Sequence, residues 1–297
     1  MIKIGLIDRW LDNWHTNYYP GFLREAARSC GFDAEIVYAW AESDAPGGMT
    51  SEAWCEKNGV TLLRQQAELI ARCDALMVMC ADDVFPHEAL AQQALMSGKR
   101  VYCDKTFAPD TAAAMRMFSL AAQHGTQVFS CSAQRFCPDL TRYMEDAEMA
   151  GSRAAFAATT GPGEIRNYSV HQLEMLERVM GTGCRDCIAF PVNGSVTVVF
   201  RYDGGRRATF VQSPNASFSM TVSDAYSNWD APNKPRNRAI AVGDYYMPFM
   251  GELLTFFAGG ALPVRPEDTL EIVSMQEGAR RAIRTPETIV RLPEYSV

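Results

Sequence analysis

The sequence lacks several features that would assign a protein to a class at once. No apolar run approaches the length needed to span a bilayer, and no signal-peptide pattern precedes the first strand-like segment. Basic residues are not in excess, since 28 Lys and Arg stand against 35 Asp and Glu, for a net charge of −7. These absences argue against nucleic-acid and membrane partners. We therefore expect a cytoplasmic protein.

Cysteine in a disulfide or metal-binding pattern is also missing. The nine cysteines are scattered, which in a chain of 297 residues favours reduced thiols packed as small hydrophobic groups. Cys184 and Cys187 form a single CxxC without a second pair or a nearby histidine, so a loop without a metal or redox role is the favoured interpretation. Histidine is scarce. The four histidines are His15, His87, His124 and His171.

What is present, from residue 1 to about 131, is an alternation of strand and helix patterns. The apolar run "ALMVMC" at 75–80 is typical of a strand covered on both faces. The alternation predicts a doubly wound, Rossmann-type parallel sheet in a domain of residues 1–131. Strands are predicted at 2–7, 34–40, 75–80, 100–103 and 127–131, and helices near 19–30, 51–57, 62–72, 86–97 and 110–124.

Residues 132–297 have a different pattern and are predicted to form an α+β domain with a mostly antiparallel sheet. "VTVVFRY" and "RRATFVQ", joined by "DGG", predict a β-hairpin. Further strands are expected at 154–160 and 217–226. Helices are expected near 138–149, 170–180, 250–257 and 268–283, the last two closing this domain.

Ligands of open parallel sheets bind outside the carboxyl ends of the strands. Four segments follow such ends: "DRWLDNWH", "AESD", "ADDVFPH" and "DKTFAPD". Lys105, in the last of them, is a candidate proton donor or acceptor, because a cleft of low polarity destabilises its ammonium. A solvated surface lysine is the alternative. His15 and His87 also fall on predicted ligand-facing loops.

In the second domain, "RNYSVHQLEMLERVMG" places His171 near a helix start, with Asn167 four residues earlier and Glu174 on the same face. A lone histidine at the edge of an apolar stripe can equally be structural. The preceding stretch "GPGEIRNYS" at 161–169 is predicted to line a substrate pocket.

Several stretches, taken in order, resemble the Gfo/Idh/MocA family, the group of glucose-fructose oxidoreductase and inositol dehydrogenase. "ALMVMCADDVFPHEALAQQALMSGKRVYCDKTFA" is similar to the family's strand, Pro-Asn-x-x-His-type loop, helix, strand and Glu-Lys-Pro motif, with Asp104-Lys105-Thr106 in the last. "GTQVFSCSAQRF" resembles the strand that ends in an Arg-Phe pair. "NYSVHQLEMLERVMG" resembles the helix start Asp-x-x-x-His, and "GELLTFFAGGALPVRPEDTLEIVSMQEGARRA" resembles the closing helices.

The resemblance implies an oxidoreductase that transfers a hydride between NAD or NADP and a sugar-like or polyol substrate, as a homo-oligomer (dimer or tetramer). In it, Lys105 would hold the substrate hydroxyl, His171 would be the main acid/base, and Asn167 would take the position of the family's aspartate. No metal is implied. The predicted substrate-binding residues are Arg135, Glu164, Arg166 and Tyr168. The predicted cofactor-binding residues are Asp8, Arg9, Trp10, His15, Trp40, Glu42, Asp82, His87 and Asp104.

The chain departs from the family in the loop after the first strand. Asp8, Trp10 and roughly Asn13 stand where glycines would let the backbone approach a pyrophosphate. An Asp8 carboxylate ~4 Å from a phosphate would cost about 1 kcal/mol in water and ~4 kcal/mol at a dielectric of about 20, which Arg9 could offset. The bulk of Trp10 is the heavier objection. After the second strand, Glu42 and Asp44 are both candidates for the ribose-binding acid.

Two further departures leave alternatives open. Asn167 cannot accept a proton as an aspartate does, and Thr106 lacks the fixed φ of proline. One alternative is a nicotinamide-independent lyase, epimerase or hydrolase that uses the same cleft, with or without a metal, and recruits His15, His87 or Glu164. Another is a catalytically silent, ligand-binding relative.

Overall fold

A computed structural model of the chain describes residues 1–80, 83–149, 153–224 and 237–296. They form two compact units. The first comprises Met1–Cys131 together with Tyr246–Thr269, and the second comprises Ser132–Tyr245 and Leu270–Tyr295. Among the described residues, no helix is both long and apolar enough to cross a membrane.

The elements follow one another in a regular order along the chain. The strands are β1 Ile2–Asp8, β2 Ala34–Ala41, β3 Thr61–Leu62, β4 Ala75–Val78, β5 Arg100–Cys103, β6 Gln127–Phe129, β7 Ala154–Gly161, β8 Cys184–Val192, β9 Ser195–Tyr202, β10 Arg207–Gln212, β11 Ser219–Asp224, β12 Asn237–Ile240 and β13 Val290–Arg291. The helices are α1 Trp14–Cys30, α2 Ser51–Asn58, α3 Gln66–Arg72, α4 His87–Leu95, α5 Thr111–Gln123, α6 Pro138–Met149, α7 Ile165–Met180, α8 Tyr246–Phe257 and α9 Pro266–Arg284.

The first unit is built on a six-stranded sheet in the order β3-β2-β1-β4-β5-β6, and every adjacent pair is parallel. All four residues of β4 are buried, as expected for a strand covered on both faces. The predicted fold class, a doubly wound parallel sheet, is confirmed. The carboxyl ends of β1, β2, β4 and β5 meet along one edge of this sheet.

Helix α1 begins at Trp14, five residues before the predicted start. The reason is a side-chain cap: Asn13 accepts a hydrogen bond from the Thr16 N–H, and the Thr16 hydroxyl accepts one from the Asn13 N–H. This capping box satisfies backbone donors at the helix start. The helix ends at Gly31, in the left-handed conformation that glycine adopts without strain, as the sequence predicts.

Helix α8 belongs to the first unit, whereas the sequence assigned it to the second domain. Its aromatic residues pack against α1: ring centroids of Tyr246 and Phe22 lie 4.9 Å apart, and those of Phe249 and Tyr19 lie 5.9 Å apart. An apolar helix packs wherever a complementary apolar face is available, so its position in the chain is a poor guide to its partner.

The second unit contains a seven-stranded sheet in the order β12-β11-β7-β10-β9-β8-β13. Strand β10 is parallel to β7, and the remaining pairs are antiparallel, which confirms the mostly antiparallel prediction. Alternate residues such as Val198, Phe200, Ala208 and Phe210 are fully buried in one apolar core. The opposite face of β9 and β10 carries half-buried side chains.

The CxxC segment was predicted to be a loop, and this was wrong: Cys184 and Cys187 lie in β8. The backbone pairs with β9, so the strand pattern of the neighbouring hairpin continues through the two cysteines. Burial raises the pKa of both thiols, for Cys187 to about 12. The thiolates that metal binding and redox chemistry require are therefore disfavoured.

Candidate active site

The loop after β1 is closed by its own hydrogen bonds. The carboxylate of Asp8 is 1% exposed and accepts the N–H groups of Arg9 (2.6 Å) and Cys80 (3.0 Å), and the side-chain amide of Asn13 (2.8 Å). Burial raises the pKa of Asp8 to about 7, although these hydrogen bonds act in the opposite direction. Asp8 thus points into the unit. The repulsion expected between Asp8 and a phosphate is weakened accordingly.

A buried polar cluster lies at the end of β5. His15 Nδ1 is 2.5 Å from Asp104 Oδ2, and the Tyr102 hydroxyl donates to Asp104 Oδ1 at 2.8 Å. Burial alone would raise the pKa of Asp104, but nearby His15 and Lys105 outweigh it, so that the pKa is lowered to about 2. Asp104 is therefore a carboxylate at neutral pH, and it fixes the His15 ring, which also stacks on Tyr19 at 4.7 Å.

Lys105 follows Asp104 directly and is 8% exposed, so the sequence-based alternative of a solvated surface lysine is wrong. The turn that carries it is anchored by His87, whose side chain is fully buried. His87 Nδ1 lies 2.7 Å from the carbonyl oxygen of Thr106, and Nε2 contacts that of Met79. Burial lowers the pKa of His87. His87 thus connects the end of β4 to the turn that carries Lys105. A contact between His87 and a cofactor stays a prediction.

The two acids after β2 have different environments. Asp44 accepts the backbone N–H (2.7 Å) and hydroxyl (2.8 Å) of Ser51, which lowers its pKa and places a negative charge at the start of α2. Glu42 is exposed, and its N–H donates to the carbonyl oxygen of Asp8 (3.1 Å). The backbone of Glu42 therefore lies beside the end of β1. A contact of Glu42 with a cofactor ribose stays a prediction.

The side chains at this edge fit one part of a dinucleotide better than another. Glu42 is suited to ribose hydroxyls. In the loop 8–13 the backbone cannot approach a pyrophosphate as closely as a glycine-rich loop does, because the Trp10 side chain is half-buried there. The Arg9 guanidinium lies 4.5 Å from the centroid of the Trp10 ring. Arg9 also pairs with Asp83 at 2.8 Å. Arg9 is thus the cation of this loop that a pyrophosphate placed outside it would meet. Trp40, at the end of β2, is half-buried.

The second unit positions His171 on α7. His171 Nδ1 lies 2.6 Å from the Ser132 hydroxyl, which in turn accepts the Gln134 N–H at 3.3 Å. The rings of Tyr168 and Phe218 flank the imidazole at centroid distances of 5.7 and 5.6 Å. Asn167 is one helical turn before His171, as predicted. Helix α7 begins at Ile165, however, so Asn167 and Tyr168 lie on the helix and not on the predicted loop.

Arg135 and Glu174 hold this arrangement together. Arg135 Nη1 lies 2.6 Å from Glu177 and 3.2 Å from Glu174, while Glu174 accepts the Ser132 N–H at 3.1 Å. Burial, opposed by Arg135, raises the pKa of Glu174 to about 7. Arg135 is 7% exposed, and its contacts described above are with residues of the same unit. Its predicted role in substrate binding stays a prediction.

Glu164 and Arg166 line a separate cavity of about 740 Å³, next to the turn between β8 and β9. Other walls of this cavity are Pro191–Val196 and Gln212. Sequence reasoning grouped both residues with His171 because they are neighbours in the chain. The helical start at Ile165 explains the difference, since successive residues of a helix point in different directions.

Two residues that contact candidate groups have no role assigned to them from the sequence. Ser132 contacts His171 in the second unit, and Tyr102 contacts Asp104 in the first. Asp82, predicted to contact the cofactor, lies outside the described residues. Within the described part of the chain, no group of His, Cys, Asp and Glu has the arrangement of a metal site. Homo-oligomerisation and a cytoplasmic location stay predictions.

Residues 33–131 match the model of a protein family described as the Gfo/Idh/MocA oxidoreductase family with an NAD-binding Rossmann fold. The comparison with curated protein sequences gave no match. Because the matched family is one of NAD-binding oxidoreductases, the predictions of an oxidoreductase and of a nicotinamide dinucleotide cofactor are confirmed at the level of the family.

Solved structures share the fold over nearly the whole chain. An NAD-binding oxidoreductase from Klebsiella pneumoniae has a TM-score of 0.78 at 13% identity, covering 99% of both chains. The WlbA dehydrogenase from Bordetella pertussis, in complex with NADH and UDP-GlcNAcA, has a TM-score of 0.72 at 15% identity, covering 99% of both chains. The scyllo-inositol dehydrogenase from Lactobacillus casei, with NAD(H) and scyllo-inositol, has a TM-score of 0.72 at 13% identity, covering 98% of this chain and 99% of that one.

At these identities the likeness concerns the fold alone. Together with the family match it covers both units. The predicted resemblance to the Gfo/Idh/MocA oxidoreductase family is thereby confirmed by the family model for residues 33–131, and the solved structures share the fold of nearly the whole chain.

Proposed function

We propose that the protein is an NAD(P)-dependent oxidoreductase that interconverts a hydroxyl and a carbonyl group on a sugar-like or polyol substrate. Lys105 is the observation that carries the proposal. It is a buried lysine directly after β5, at the ligand edge of a parallel sheet, inside the segment that matches an NAD-binding family. The structural neighbours that contain scyllo-inositol and a UDP-linked sugar support the substrate class.

In this proposal the nicotinamide, when bound, supplies the hydride acceptor or donor, and the chain supplies binding, orientation and proton transfer. The Lys105 ammonium would donate a hydrogen bond to the substrate oxygen and stabilise the charge that develops on it. The Asp104 carboxylate, fixed by His15 and Tyr102, keeps a negative charge next to this lysine.

His171 would exchange the proton with the substrate. The Ser132 oxygen, which accepts the Gln134 N–H, has a second lone pair for a proton on His171 Nδ1. With the proton on Nδ1, Nε2 is the acceptor. His171 would take up the substrate proton at Nε2 during alcohol oxidation, which forms the imidazolium, and the imidazolium would return a proton from Nε2 during carbonyl reduction. The amide of Asn167 could orient the substrate by hydrogen bonding, without taking up a proton.

The residues that would hold the cofactor are Glu42 and Arg9. The carboxylate of Glu42 would accept hydrogen bonds from the adenosine ribose, and its negative charge disfavours the 2′-phosphate of NADP. NAD is therefore the cofactor that we favour. Arg9 would meet the pyrophosphate outside Trp10.

The proposal is tested by screening inositols, sugar alcohols and sugars for oxidation with NAD and NADP, with NADH formation as the signal. The expected result is turnover on at least one polyol or sugar that is lost in both His171→Asn and Lys105→Met. Lys57→Met, which changes an exposed lysine of α2, is the matched control and should keep full activity. Full turnover in His171→Asn would remove His171 from the reaction.

A second candidate is favoured by one observation: positions 8, 10 and 13 carry side chains where a pyrophosphate would approach a glycine-rich loop. This candidate is a nicotinamide-independent lyase, epimerase or hydrolase on a carbohydrate-like substrate, with His15 and Asp104 as an additional acid/base pair. Solvent deuterium incorporation into a polyol or keto-sugar without added NAD or NADP would favour an epimerase or lyase over the oxidoreductase.

A further inference from the structure

Four arginines converge on one cavity of the second unit. The cavity, of about 260 Å³, is lined by Arg185, Asp186, Arg201, Arg207 and Arg291. Its wall therefore combines four guanidinium groups with one carboxylate. The chain as a whole carries a net charge of −7, so this local excess of positive charge runs against the overall balance.

The register of the sheet brings these residues together. Arg207 lies opposite Arg201, Arg201 lies opposite Asp186, and Asp186 lies opposite Arg291. Directly opposed residues on adjacent strands share a face, so the four form one row across β10, β9, β8 and β13. The pairing of β8 with β9 shifts register between Cys184 and Asp186, and this bulge adds Arg185 to the same wall.

The positive charge of the row is only partly neutralised. Arg201 makes a two-pronged ion pair with Asp186, with Nη2 at 2.8 Å from Oδ2. Arg185 pairs with Asp203, outside the cavity wall, at 2.8 Å. Arg207 donates to the uncharged carbonyl oxygen of Arg206 at 2.9 Å. Among the described residues, no carboxylate lies within ion-pair distance of Arg207 or Arg291.

This arrangement has the chemistry of an anion site. Like charges directly opposite each other across strands destabilise a sheet, and here Arg207 faces Arg201. Guanidinium groups are planar donors that match the oxygens of a phosphate in pairs. The cavity is smaller than the roughly 300–1,000 Å³ of sites for drug-sized ligands, which suits a small anion or a single phosphoryl group.

We propose that the row is a binding site for phosphate, with Arg207 and Arg291 as its main ligands and with Arg201, held by Asp186, between them. The phosphate is either the free ion or the phosphoryl group of a small metabolite. The site shares no residue with the proposed acid/base groups. It stands or falls independently of the proposed function.

The experiment is calorimetric titration of the full-length protein with sodium phosphate, against sodium chloride at equal ionic strength. We expect saturable binding of phosphate and a higher Tm in its presence. Arg207→Gln and Arg291→Gln should each weaken binding about tenfold or more, because each removes a charged donor. Arg284→Gln, which changes an exposed arginine of α9 in the same unit, is the matched control and should bind as wild type.

A variant of opposite sign sharpens the test. Asp186→Asn removes the one carboxylate of the wall and should tighten phosphate binding several-fold. Titration with a sugar phosphate separates the two sources: tighter binding than inorganic phosphate points to a metabolite, and equal binding points to the free ion. Absence of binding above the chloride control would overturn the proposal. So would an equal loss in Arg284→Gln. A change of oligomeric state in Arg207→Gln without phosphate binding would instead assign the row to a contact between copies.

Discussion

Two loops at the carboxyl edge of the first sheet follow the family pattern to different degrees. The loop after β5 keeps its lysine, places it in a buried turn and lies inside the segment that matches the family model. The loop after β1 lacks the glycines and precedes that segment. In the loop after β1, the Asn13 side chain donates to the Asp8 carboxylate and to the Trp10 carbonyl oxygen, where a glycine-rich backbone would leave room for a pyrophosphate. The loop that carries Lys105 thus resembles the family motif, and the loop that would face the phosphates of a dinucleotide does not.

The largest effect is expected at the loop after β5. Lys105→Met should lower turnover by roughly 10²–10⁴-fold, because it removes the group that we propose to assist proton transfer. The affinity for NAD, measured by calorimetry, should stay unchanged. A variant that loses NAD affinity along with turnover would assign Lys105 to cofactor binding. Circular dichroism of the variant serves as the control for folding.

A second prediction compares the buried carboxyl groups of the two units. The pKa of both Asp8 and Glu174 is raised by burial to about 7, against ordinary values of 3.8 and 4.5. A raised pKa gives a contribution to stability that is complete below the ordinary value and is lost as the pH rises through about 7. Each group should therefore lower the free energy of unfolding between pH 5 and pH 8, by at most ~1.4 kcal/mol per pH unit.

The variant that tests this is Glu174→Gln, with urea unfolding at pH 5 and pH 8. The difference in the free energy of unfolding between this variant and wild type should be smaller at pH 8 than at pH 5, because at pH 8 the buried wild-type carboxyl group is charged. Glu88→Gln is the control. Glu88 is half-buried and paired with Arg116, which lowers its pKa, so this change should leave the slope between the two pH values as in wild type. Equal slopes for wild type and Glu174→Gln would contradict the prediction.

The hydrogen bonds of the loop after β1 predict that removing two helix caps lowers the free energy of unfolding by unequal amounts. Thr50→Ala removes the side-chain cap of α2 and should cost about 1 kcal/mol in the free energy of unfolding. Asn13→Ala should cost more, because Asn13 also donates to Asp8 and to the Trp10 carbonyl oxygen. Urea unfolding measures both. Equal losses would show that the additional hydrogen bonds of Asn13 contribute nothing.

A further prediction separates the two acids after β2. Glu42→Gln should weaken NAD binding roughly tenfold, because it replaces a charged hydrogen-bond acceptor by a neutral one. It should also reduce the ratio of the affinity for NAD to the affinity for NADP. Asp44→Asn, its matched control, should bind NAD as wild type since Asp44 contacts Ser51. Weaker NAD binding in Asp44→Asn, with unchanged binding in Glu42→Gln, would assign the ribose contact to Asp44 instead.

The order of strands and helices could be predicted because it depends on local patterns: buried runs such as 75–78, and glycine at Gly31. The starts of α1 and α7 could not, since they depend on local side-chain and backbone geometry. The contacts of the candidate site are long-range. His15 with Asp104, and His171 with Ser132, meet only through the register of folded elements.

The same reason explains why neighbours in the chain separate in the fold. Glu164 and Arg166 line a cavity at the turn between β8 and β9, because Glu164 precedes α7 and Arg166 lies on a different side of that helix from His171. Their role in substrate binding stays a prediction. The arginine row is the converse case. Arg207 and Arg291 are far apart in the chain and carry no motif, and only the pairing of β10, β9, β8 and β13 aligns them.

Calorimetric titration of the wild-type protein with NAD tests the central claim, that the loop after β1 still accepts a nicotinamide dinucleotide. The account predicts saturable binding at one site per chain, tighter for NAD than for NADP, with quenching of tryptophan fluorescence that is reduced in Trp10→Phe. The absence of both binding heat and fluorescence quenching at millimolar NAD would contradict the account. The loop that contains Asp8, Trp10 and Asn13 would then be one that excludes the cofactor.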